Sequence, residues 1–457
     1  MEGALQTILD AVGETPIVRL NRVGSDVASE VFVKCEYLSP SGSVKDRMAA
    51  RMVDAAVESG ALGPGGTIVE ATSGDTGLAL AMLASVRGYL TAFVVPDKTS
   101  AEKIAMLRAY GSRVVVAPAG VEPDDPRSMR GLAKSLAEET PGAVFLDQFE
   151  NAANPDAHAA TLGAEILAQT GGNIDAVVAG IGTGGTLIGV GRALRAAGCE
   201  AELVGVDPSG SVYYGFKKSG RVTQPVHYKL EGIGSDFFPA TADLDALDHV
   251  VRVRDGESFR MARDLVRLEG LFVGGSSGAA VAGALAYARR EGGEKRILVI
   301  LPDGAGAYLS TLFNDAWMEQ NGYLDDEGDL GTVRDLLQQK GGEGVITARS
   351  DDRVRDVIGR MKAHGISQLP VMRDNALLGV VAEVDLLRYL VSGESSLEGA
   401  VEQVVESDFA TVAPDTKILS LQQVLSEARI AIVLEDERIA GIITKIDLID
   451  YLARRAQ

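Results

Sequence analysis

A lysine in a setting suited to covalent catalysis lies in the segment Pro40–Arg47, which reads PSGSVKDR. These turn-forming residues precede a predicted helix, so Lys45 falls at the helix start. Near the positive end of the helix dipole, and beside Arg47, an amine is biased towards the neutral form that attacks a carbonyl group to give a Schiff base. A lysine at this spacing is also common on solvated surfaces, so both interpretations stay open from this segment alone.

Three turns rich in glycine and hydroxyl groups form a second set of candidate residues. Thr72–Gly77 and Gly182–Thr186 each follow a short apolar run and open a predicted helix, and Gly274–Gly278 has a similar composition. Unpaired N–H groups at a helix N-terminus, together with nearby hydroxyls, bind anions such as phosphate. A tight connection between strand and helix needs similar residues, so each turn alone fits either a ligand site or a structural turn.

The segments around these turns alternate between apolar, β-branched runs and amphipathic stretches. The predicted strands are Val31–Tyr37, Thr67–Glu70, Thr91–Val95, Arg113–Ala117, Ala143–Leu146, Asp175–Ala179, Leu203–Val206 and Arg296–Leu301. The predicted helices include Lys45–Ser59, Thr76–Arg87, Ala101–Tyr110, Pro155–Gln169 and Gly184–Ala197. This order predicts an α/β, doubly wound architecture with buried parallel strands. Ligands on such sheets bind beyond the carboxyl ends of the strands, where the glycine turns fall.

A second unit follows an acidic stretch with little apolar content, which predicts a linker over 324–331 between a core over 1–323 and a smaller unit over 332–457. Inside this unit Gly379–Leu386 (GVVAEVDL) matches Gly441–Leu448 (GIITKIDL), an offset of 441 − 379 = 62 residues. A helix and a short strand precede each match, at Val354–Ala363 with Gln368–Met372 and at Ile418–Ala428 with Ala431–Leu434. The pattern predicts a duplication whose two halves pack on each other.

Composition excludes several classes of protein. The 457 residues carry 44 Lys and Arg against 64 Asp and Glu, a net charge of −20, which argues against nucleic-acid or anionic-membrane binding. The sequence has no run of about 18 apolar residues, and Met1–Asp10 carry no basic stretch followed by an apolar core, so we expect neither membrane insertion nor export. Cys35 and Cys199 fit no disulfide framework or metal spacing, and the four histidines are scattered, so we expect a cytoplasmic protein without a metal site.

Taken together, the motifs resemble the fold-type II pyridoxal-phosphate enzymes, which share the tryptophan synthase β-like fold, and more closely the cystathionine β-synthases and cysteine synthases. The resemblance runs from about Ile8 to Tyr323. It rests on the order of the Lys45 segment, the glycine turns and three further motifs, at Gly13–Leu20 (GETPIVRL), Pro96–Lys103 (PDKTSAEK) and Asp147–Phe149 (DQF). The resemblance implies that Lys45 forms the Schiff base with pyridoxal 5′-phosphate.

The resemblance also implies roles for the other turns. The cofactor phosphate site would comprise Gly182, Thr183, Gly184, Gly185 and Thr186. The substrate carboxylate would be held by Thr72, Ser73, Gly74, Thr76 and Gln148. Ser276 would face the pyridine nitrogen, and a hydroxyl there does not hold the ring protonated as a carboxylate does, which favours β-elimination chemistry.

One position departs from the family pattern. Where the family has Ser-Gly-Asn-Thr-Gly, this chain has Asp75 in place of the Asn that donates a hydrogen bond to the phenolic oxygen of the cofactor. An ionised Asp75 would oppose a phenolate, so either the pKa of the carboxyl is raised or the phenol keeps its proton. A tolerated variant, an altered substrate or rate, and a weakened enzyme all stay open.

The segment His227–Pro239 distinguishes the two sibling families. It resembles the Glu-Gly-Ile-Gly-x-Asp-Phe-x-Pro pattern of cystathionine β-synthases, with acidic Glu231 and Asp236. With Gly232 and Ser235, Glu231 would then contact a second substrate. The implied reaction joins L-serine, or an activated serine, to L-homocysteine in the transsulfuration pathway. A loop that only packs, a cysteine synthase using O-acetylserine and sulfide, and a weakly catalytic ligand sensor are the alternatives.

The duplicated unit resembles the tandem regulatory domains known as CBS domains, over about Thr332 to Arg454. Their nucleotide pattern is Gly-h-h-Thr-x-x-Asp, where h is apolar, and Thr444 with Asp447 fits it fully, whereas the first repeat has Ala382 in place of Thr and keeps Asp385. The resemblance implies S-adenosylmethionine or an adenine nucleotide as effector and a homodimer or homotetramer; a dimerisation scaffold without ligand is the alternative. The haem-binding extension of animal members has no counterpart, so we expect no haem.

Overall fold

The computed structural model describes residues 3–118, 125–222, 224–324, 330–341, 344–374, 376–391, 396–406, 409–435 and 438–455. The chain divides into two compact units. The first comprises Met1–Val222 and Tyr228–Met318, and the second comprises Thr223–His227 and Glu319–Gln457. Most of the predicted linker, 325–329, lies outside the described residues. No helix in the described ranges is both long and apolar enough to cross a membrane.

The described residues of the first unit form ten strands. They are β1 (Ile17–Arg19), β2 (Glu30–Cys35), β3 (Thr67–Ala71), β4 (Leu90–Pro96), β5 (Arg113–Ala117), β6 (Ala143–Phe145), β7 (Ala176–Gly180), β8 (Glu202–Pro208), β9 (His249–Val253) and β10 (Arg296–Leu301). They form a six-stranded sheet in the order β1-β2-β10-β7-β8-β9 and a four-stranded sheet in the order β5-β4-β3-β6. All neighbours are parallel except the pair β1 and β2.

Helices connect these strands as expected for buried parallel sheets. They are α1 (Lys45–Glu58), α2 (Asp75–Arg87), α3 (Ala101–Ala109), α4 (Met129–Glu139), α5 (Ala153–His158), α6 (Ala164–Thr170), α7 (Gly185–Ala196), α8 (Val212–Ser219), α9 (Asp255–Asp264), α10 (Gly275–Glu291) and α11 (Asp315–Gln320). The predicted α/β class is confirmed. The predicted helix Pro155–Gln169 is divided, because a π-helical turn at Ala159–Gly163 separates α5 from α6.

The second unit repeats one small topology twice. Its elements are α12 (Val333–Lys340), β11 (Ala348–Arg349), α13 (Val354–His364), β12 (Gln368–Arg373), β13 (Ala376–Ala382), α14 (Glu383–Val391), β14 (Ala410–Val412), α15 (Ile418–Glu427), β15 (Ile430–Glu435), β16 (Arg438–Thr444) and α16 (Lys445–Arg455). Each repeat has a three-stranded sheet with one parallel and one antiparallel pair. Val380 of the first repeat packs in one cluster with Ile430 and Ile432 of the second, so the halves pack on each other as predicted.

Candidate active site

Lys45 begins α1 and its side chain lines a cavity at the carboxyl ends of the strands. The cavity includes about 480 Å³ of space free of atoms, part of it open to solvent. Its walls are formed by Val44, Lys45, Asp75, Ala179, Gly180, Gly182, Thr183, Gly184, Thr186, Gly232, Ile233, Ser276, Ile300 and Pro302. Eight residues with predicted site roles therefore share one cavity.

The Lys45 amine has no hydrogen bond or ion pair within the part of the chain that the structure describes. Burial lowers its pKa, while Asp75 and Asp303 act in the opposite direction and Lys103 adds to the lowering. Because the neutral form is the nucleophile, this direction suits Schiff-base chemistry.

Arg47 does not act on Lys45 as predicted. Its guanidinium turns away and forms two bonds to Glu36, at 2.7 and 2.9 Å, and two to Glu165, at 2.7 and 2.8 Å. A planar guanidinium satisfies two carboxylates at once, so Arg47 is committed to this buried network. The cation that depresses the pKa of Lys45 is Lys103.

The turn after β3 places its groups close to the start of α2. The Thr72 hydroxyl accepts a bond from the Gly74 N–H at 2.9 Å, and Thr76 donates to the Gln148 amide oxygen at 2.7 Å. Gly74 has φ +130°, and a Cβ there would lie 2.4 Å from the Lys103 side chain. The turn therefore requires glycine, and it holds Asp75 at the cavity wall with Ser73 half-buried beside it.

Asp75 forms an ion pair rather than standing alone. Its carboxylate lies 3.0 Å from Nζ of Lys103, which is also 3.4 Å from Glu231 and donates to the Tyr308 hydroxyl at 2.7 Å. The Lys103 side chain is completely buried, and these carboxylates raise its pKa despite the cost of burial. The unusual acid at position 75 thus has a matching cation.

The turn after β7 forms a cradle at the start of α7. A Cβ at Gly182 would lie 2.4 Å from the Gly232 carbonyl oxygen, and Gly184 has φ +82°. The Thr183 hydroxyl accepts from the Asn154 amide at 3.0 Å, and the Thr186 hydroxyl lies 3.2 Å from His158 Nε2. The Gly185 N–H at the start of α7 donates to the Thr183 hydroxyl at 3.4 Å, and no N-cap side chain satisfies the N–H groups that follow, so these are available to an anion.

Ser276, in the first turn of α10, connects to a buried carboxylate. Its hydroxyl is 2.7 Å from Asp303, which also accepts a bond from Tyr308 at 2.5 Å. Asp303 is 3% exposed, and burial together with Asp75 raises its pKa to about 6. A Cβ at Gly274 would lie 2.6 Å from both Asp303 and Tyr308, so this arrangement depends on glycine there.

Several predicted residues lie behind the cavity wall. Gly185 sits within α7 against Asn154. Ser235 is buried, its N–H donating to Ser211 at 3.0 Å and its hydroxyl accepting from the Phe237 N–H at 3.2 Å. The roles of all these residues stay predictions.

Sequence reasoning missed five residues that complete the site. They are Lys103, Asn154, His158, Asp303 and Tyr308. Burial lowers the pKa of His158 well below its usual value, so it stays neutral beside Thr186. Lys103 falls in a recognised motif, whereas the others gave no local signal.

In the second unit the two candidate ribose-binding acids differ in their surroundings. Asp447 accepts bonds from the Thr444 N–H and hydroxyl at 2.8 and 2.7 Å, and pairs with Lys340 at 2.8 Å. Asp385 has a 3% exposed side chain, accepts from the Ala382 N–H and pairs with Arg429 at 3.1 Å. The second repeat thus presents the more open acid.

Comparisons with known proteins agree with these two units. Residues 8–303 match the family of pyridoxal-phosphate dependent enzymes, and 333–392 and 401–454 match the CBS domain. Cystathionine beta-synthase of Dictyostelium discoideum is 36% identical, with 99% of this chain and 93% of that protein covered. Cystathionine beta-synthase of Saccharomyces cerevisiae is 33% identical over 98% and 97%.

Relatives of the first unit alone include both sibling activities. Cysteine synthase of Staphylococcus aureus is 39% identical over 67% of this chain and 96% of its own. The crystal structure of an O-acetylserine dependent cystathionine beta-synthase from Helicobacter pylori is 37% identical, covers 67% of this chain and 98% of its own, and superposes with a TM-score of 0.61. The full-length relatives carry the assignment: this chain belongs to the cystathionine β-synthase family of pyridoxal-phosphate-dependent enzymes.

Proposed function

We propose that Lys45 binds pyridoxal 5′-phosphate as a Schiff base and that the enzyme condenses L-serine, or an activated serine, with L-homocysteine to give cystathionine. The observation that carries this proposal is the unpartnered Lys45 amine in a cavity with a glycine cradle and a buried hydroxyl on its walls.

The residues around the cavity fit the cofactor. The cradle Gly182–Thr186 offers N–H groups without an N-cap side chain and two threonine hydroxyls to the phosphate, and its glycines let this turn pack closely against Gly232, Ala242 and Asn154. Ser276 would meet the ring nitrogen, and Asp75 the phenolic oxygen. When bound, the cofactor supplies an electron sink for the charge that develops at the substrate α carbon.

The residues of the chain supply the proton transfers and the charge balance. Lys45, once displaced by the substrate amine, would remove the α proton as general base and later return it, which its lowered pKa favours. Thr72, Ser73, Gly74, Thr76 and Gln148 would hold the substrate carboxylate. Lys103 pairs with Asp75 and balances its charge near the reacting groups.

The choice of homocysteine as the second substrate depends on Glu231. Glu231 is 8% exposed, lies 3.4 Å from Lys103, and burial raises its pKa. A buried carboxylate can recognise the amino group of homocysteine, whereas sulfide has no such group. Gly232 and Ser235 belong to the same segment.

Steady-state assays with serine or O-acetylserine as donor and homocysteine or sulfide as acceptor test this proposal. We expect turnover with homocysteine, and E231Q should raise the KM for homocysteine more than it changes the rate with sulfide. The exposed acid nearby in the chain, changed as D243N, is the matched control. Turnover only with sulfide would instead establish a cysteine synthase, and no turnover with any pair would favour a ligand sensor.

We further propose that the CBS domains bind S-adenosylmethionine or an adenine nucleotide at Thr444 and Asp447, with Asp385 as a poorer second site. A carboxylate held by the N–H and hydroxyl of Thr444 retains lone pairs that can accept from ribose hydroxyls. A homodimer or homotetramer is the proposed assembly. Binding would regulate turnover only if the ligand favours one conformational state over another.

A further inference from the structure

A continuous chain of buried polar groups runs from Lys103 to Ser276. Lys103 lies 2.7 Å from the Tyr308 hydroxyl, Tyr308 lies 2.5 Å from one carboxylate oxygen of Asp303, and Ser276 lies 2.7 Å from the other. All four side chains are nearly or completely buried. Solvent therefore does not interrupt this chain.

Two of the three hydrogen-bond directions follow from the chemistry of lysine. A protonated lysine has donors only, so the Tyr308 hydroxyl must accept from Lys103. Its single proton then points to Asp303, whose oxygen on that side accepts. Any proton that Asp303 itself carries must lie on the oxygen that faces Ser276.

The protonation state of Asp303 consequently decides what Ser276 offers to the cavity. When Asp303 is ionised, Ser276 gives its one proton to the carboxylate and presents only lone pairs to the cavity. When Asp303 is protonated it donates to Ser276, and the serine proton becomes free to donate to a ligand. One carboxylate thus switches the hydroxyl between acceptor and donor.

The charges around Asp303 come from three other elements. Asp75 on α2 disfavours its ionised form, whereas Lys103 on α3 favours it, and Tyr308 donates to it. Lys45 on α1 also interacts electrostatically with Asp303. These opposing influences hold the pKa at about 6, so both forms are accessible near neutral pH.

We propose that Asp303 is a positioning residue that, through Ser276, sets whether the ring nitrogen of the bound cofactor is protonated; this rests on the proposed function, which places that nitrogen at Ser276. An ionised Asp303 makes Ser276 an acceptor, and an acceptor stabilises a protonated nitrogen. A serine at this position therefore does not by itself imply an unprotonated ring, which revises the expectation drawn from its hydroxyl alone. The protonated ring is the stronger electron sink.

The test is the ¹⁵N chemical shift of ring-labelled pyridoxal phosphate in the holoenzyme, recorded above pH 6. We expect wild type to give the position of a protonated pyridine, and D303N to move it towards that of an unprotonated one. In D303N the amide oxygen accepts from Tyr308 and the amide N–H donates to Ser276, so the serine proton is free to donate to the nitrogen. D207N, which removes a different completely buried carboxylate, should leave the shift unchanged.

Borohydride reduction and peptide mapping of each sample separate the two claims. A cofactor on Lys45 with equal ¹⁵N shifts in wild type and D303N would overturn the role of Asp303 alone, whereas no cofactor on Lys45 would overturn the proposed function. If D303N does not fold, Y308F removes one donor to Asp303 and should move the shift in the same direction by less. An unchanged shift in Y308F would then count against the proposal.

Discussion

Lys45 and Lys103 lie in the same unit and both interact with Asp75, yet their surroundings push them towards opposite protonation states. Lys103 is completely buried among Asp75, Glu231 and Tyr308, and its pKa is raised. Lys45 lines the cavity without a partner in the described structure, and its pKa is lowered.

The contrast teaches that burial alone does not make a lysine reactive. Both amines lose water, but only Lys103 recovers the cost through close carboxylates. We therefore assign Lys103 to charge balance and Lys45 to covalent chemistry.

The largest effect is expected from K45A. Removing the amine eliminates both the cofactor bond and the proton transfer, so kcat should fall by at least about 10²–10⁴-fold. The absorption band of the cofactor–lysine bond should vanish while circular dichroism stays native. A K45A protein that retains the band would reverse the roles of the two lysines.

K103M should act mainly on stability. It leaves the buried Glu231 and the half-buried Asp75 without their cation, at a cost of about 3–5 kcal/mol in the free energy of unfolding. Urea denaturation of K103M measures this cost, and K134M, at an exposed lysine, is the matched control. Equal loss in both variants would show that the Lys103 network contributes little.

Asp207 extends the contrast to a buried carboxyl that forms no ion pair within the described ranges of the chain. Burial raises its pKa to about 7 from 3.8. The folded state therefore binds the proton of the Asp207 carboxyl more tightly than the unfolded state does. The stability that this proton contributes is fully present below the unfolded pKa and is lost as pH rises through about 7. Between pH 4 and 8 the wild-type protein should therefore lose up to about 4 kcal/mol in its free energy of unfolding through this group, and D207N should not show this loss.

Urea denaturation across this pH range, with D156N at an exposed carboxyl as control, measures the difference. Parallel pH profiles for wild type and D207N would contradict the account of Asp207.

The two CBS repeats offer a further pair of charged groups for comparison. D447N should weaken adenosyl-ligand binding by roughly 10–100-fold, the value of a hydrogen bond to a charged group. D385N should reduce the ligand affinity less, because Asp385 is buried against Arg429. Calorimetry of the full chain with S-adenosylmethionine, AMP and ATP measures both. A greater loss in D385N would place the ligand in the first repeat.

The smallest effect is expected from D75N, which restores the family residue. Lys103 keeps Glu231 and Tyr308, so the fold should tolerate the change. The amide can donate to the phenolic oxygen of the cofactor, and we expect cofactor affinity or rate to rise by up to about tenfold. Spectra and kinetics identical to wild type across pH would show that the acid at position 75 is irrelevant.

Sequence analysis could predict the site residues that belong to short, contiguous motifs. Lys45 and the turns Thr72–Gly77 and Gly182–Thr186 are short motifs at strand–helix junctions, and buried parallel strands stand out as apolar runs. The edge strands β1 and β9 were missed, because β1 has only three residues and β9 includes His249 and Arg252.

Pairings across the chain could not be predicted. Lys103 and Tyr308 lie 205 residues apart, and Asp303 reaches Ser276 only because β10 ends beside the start of α10. No local pattern encodes such contacts. The same limit led Arg47 to be assigned to Lys45, although it binds Glu36 and Glu165.

Peptide mapping after borohydride reduction of the holoenzyme tests the central claim most directly. The reduction fixes the cofactor to the lysine that holds it, so mass spectrometry identifies that residue. The account predicts the adduct on Lys45 and none on Lys103. An adduct on Lys103 or another lysine, or none in folded protein supplied with pyridoxal phosphate, would contradict it.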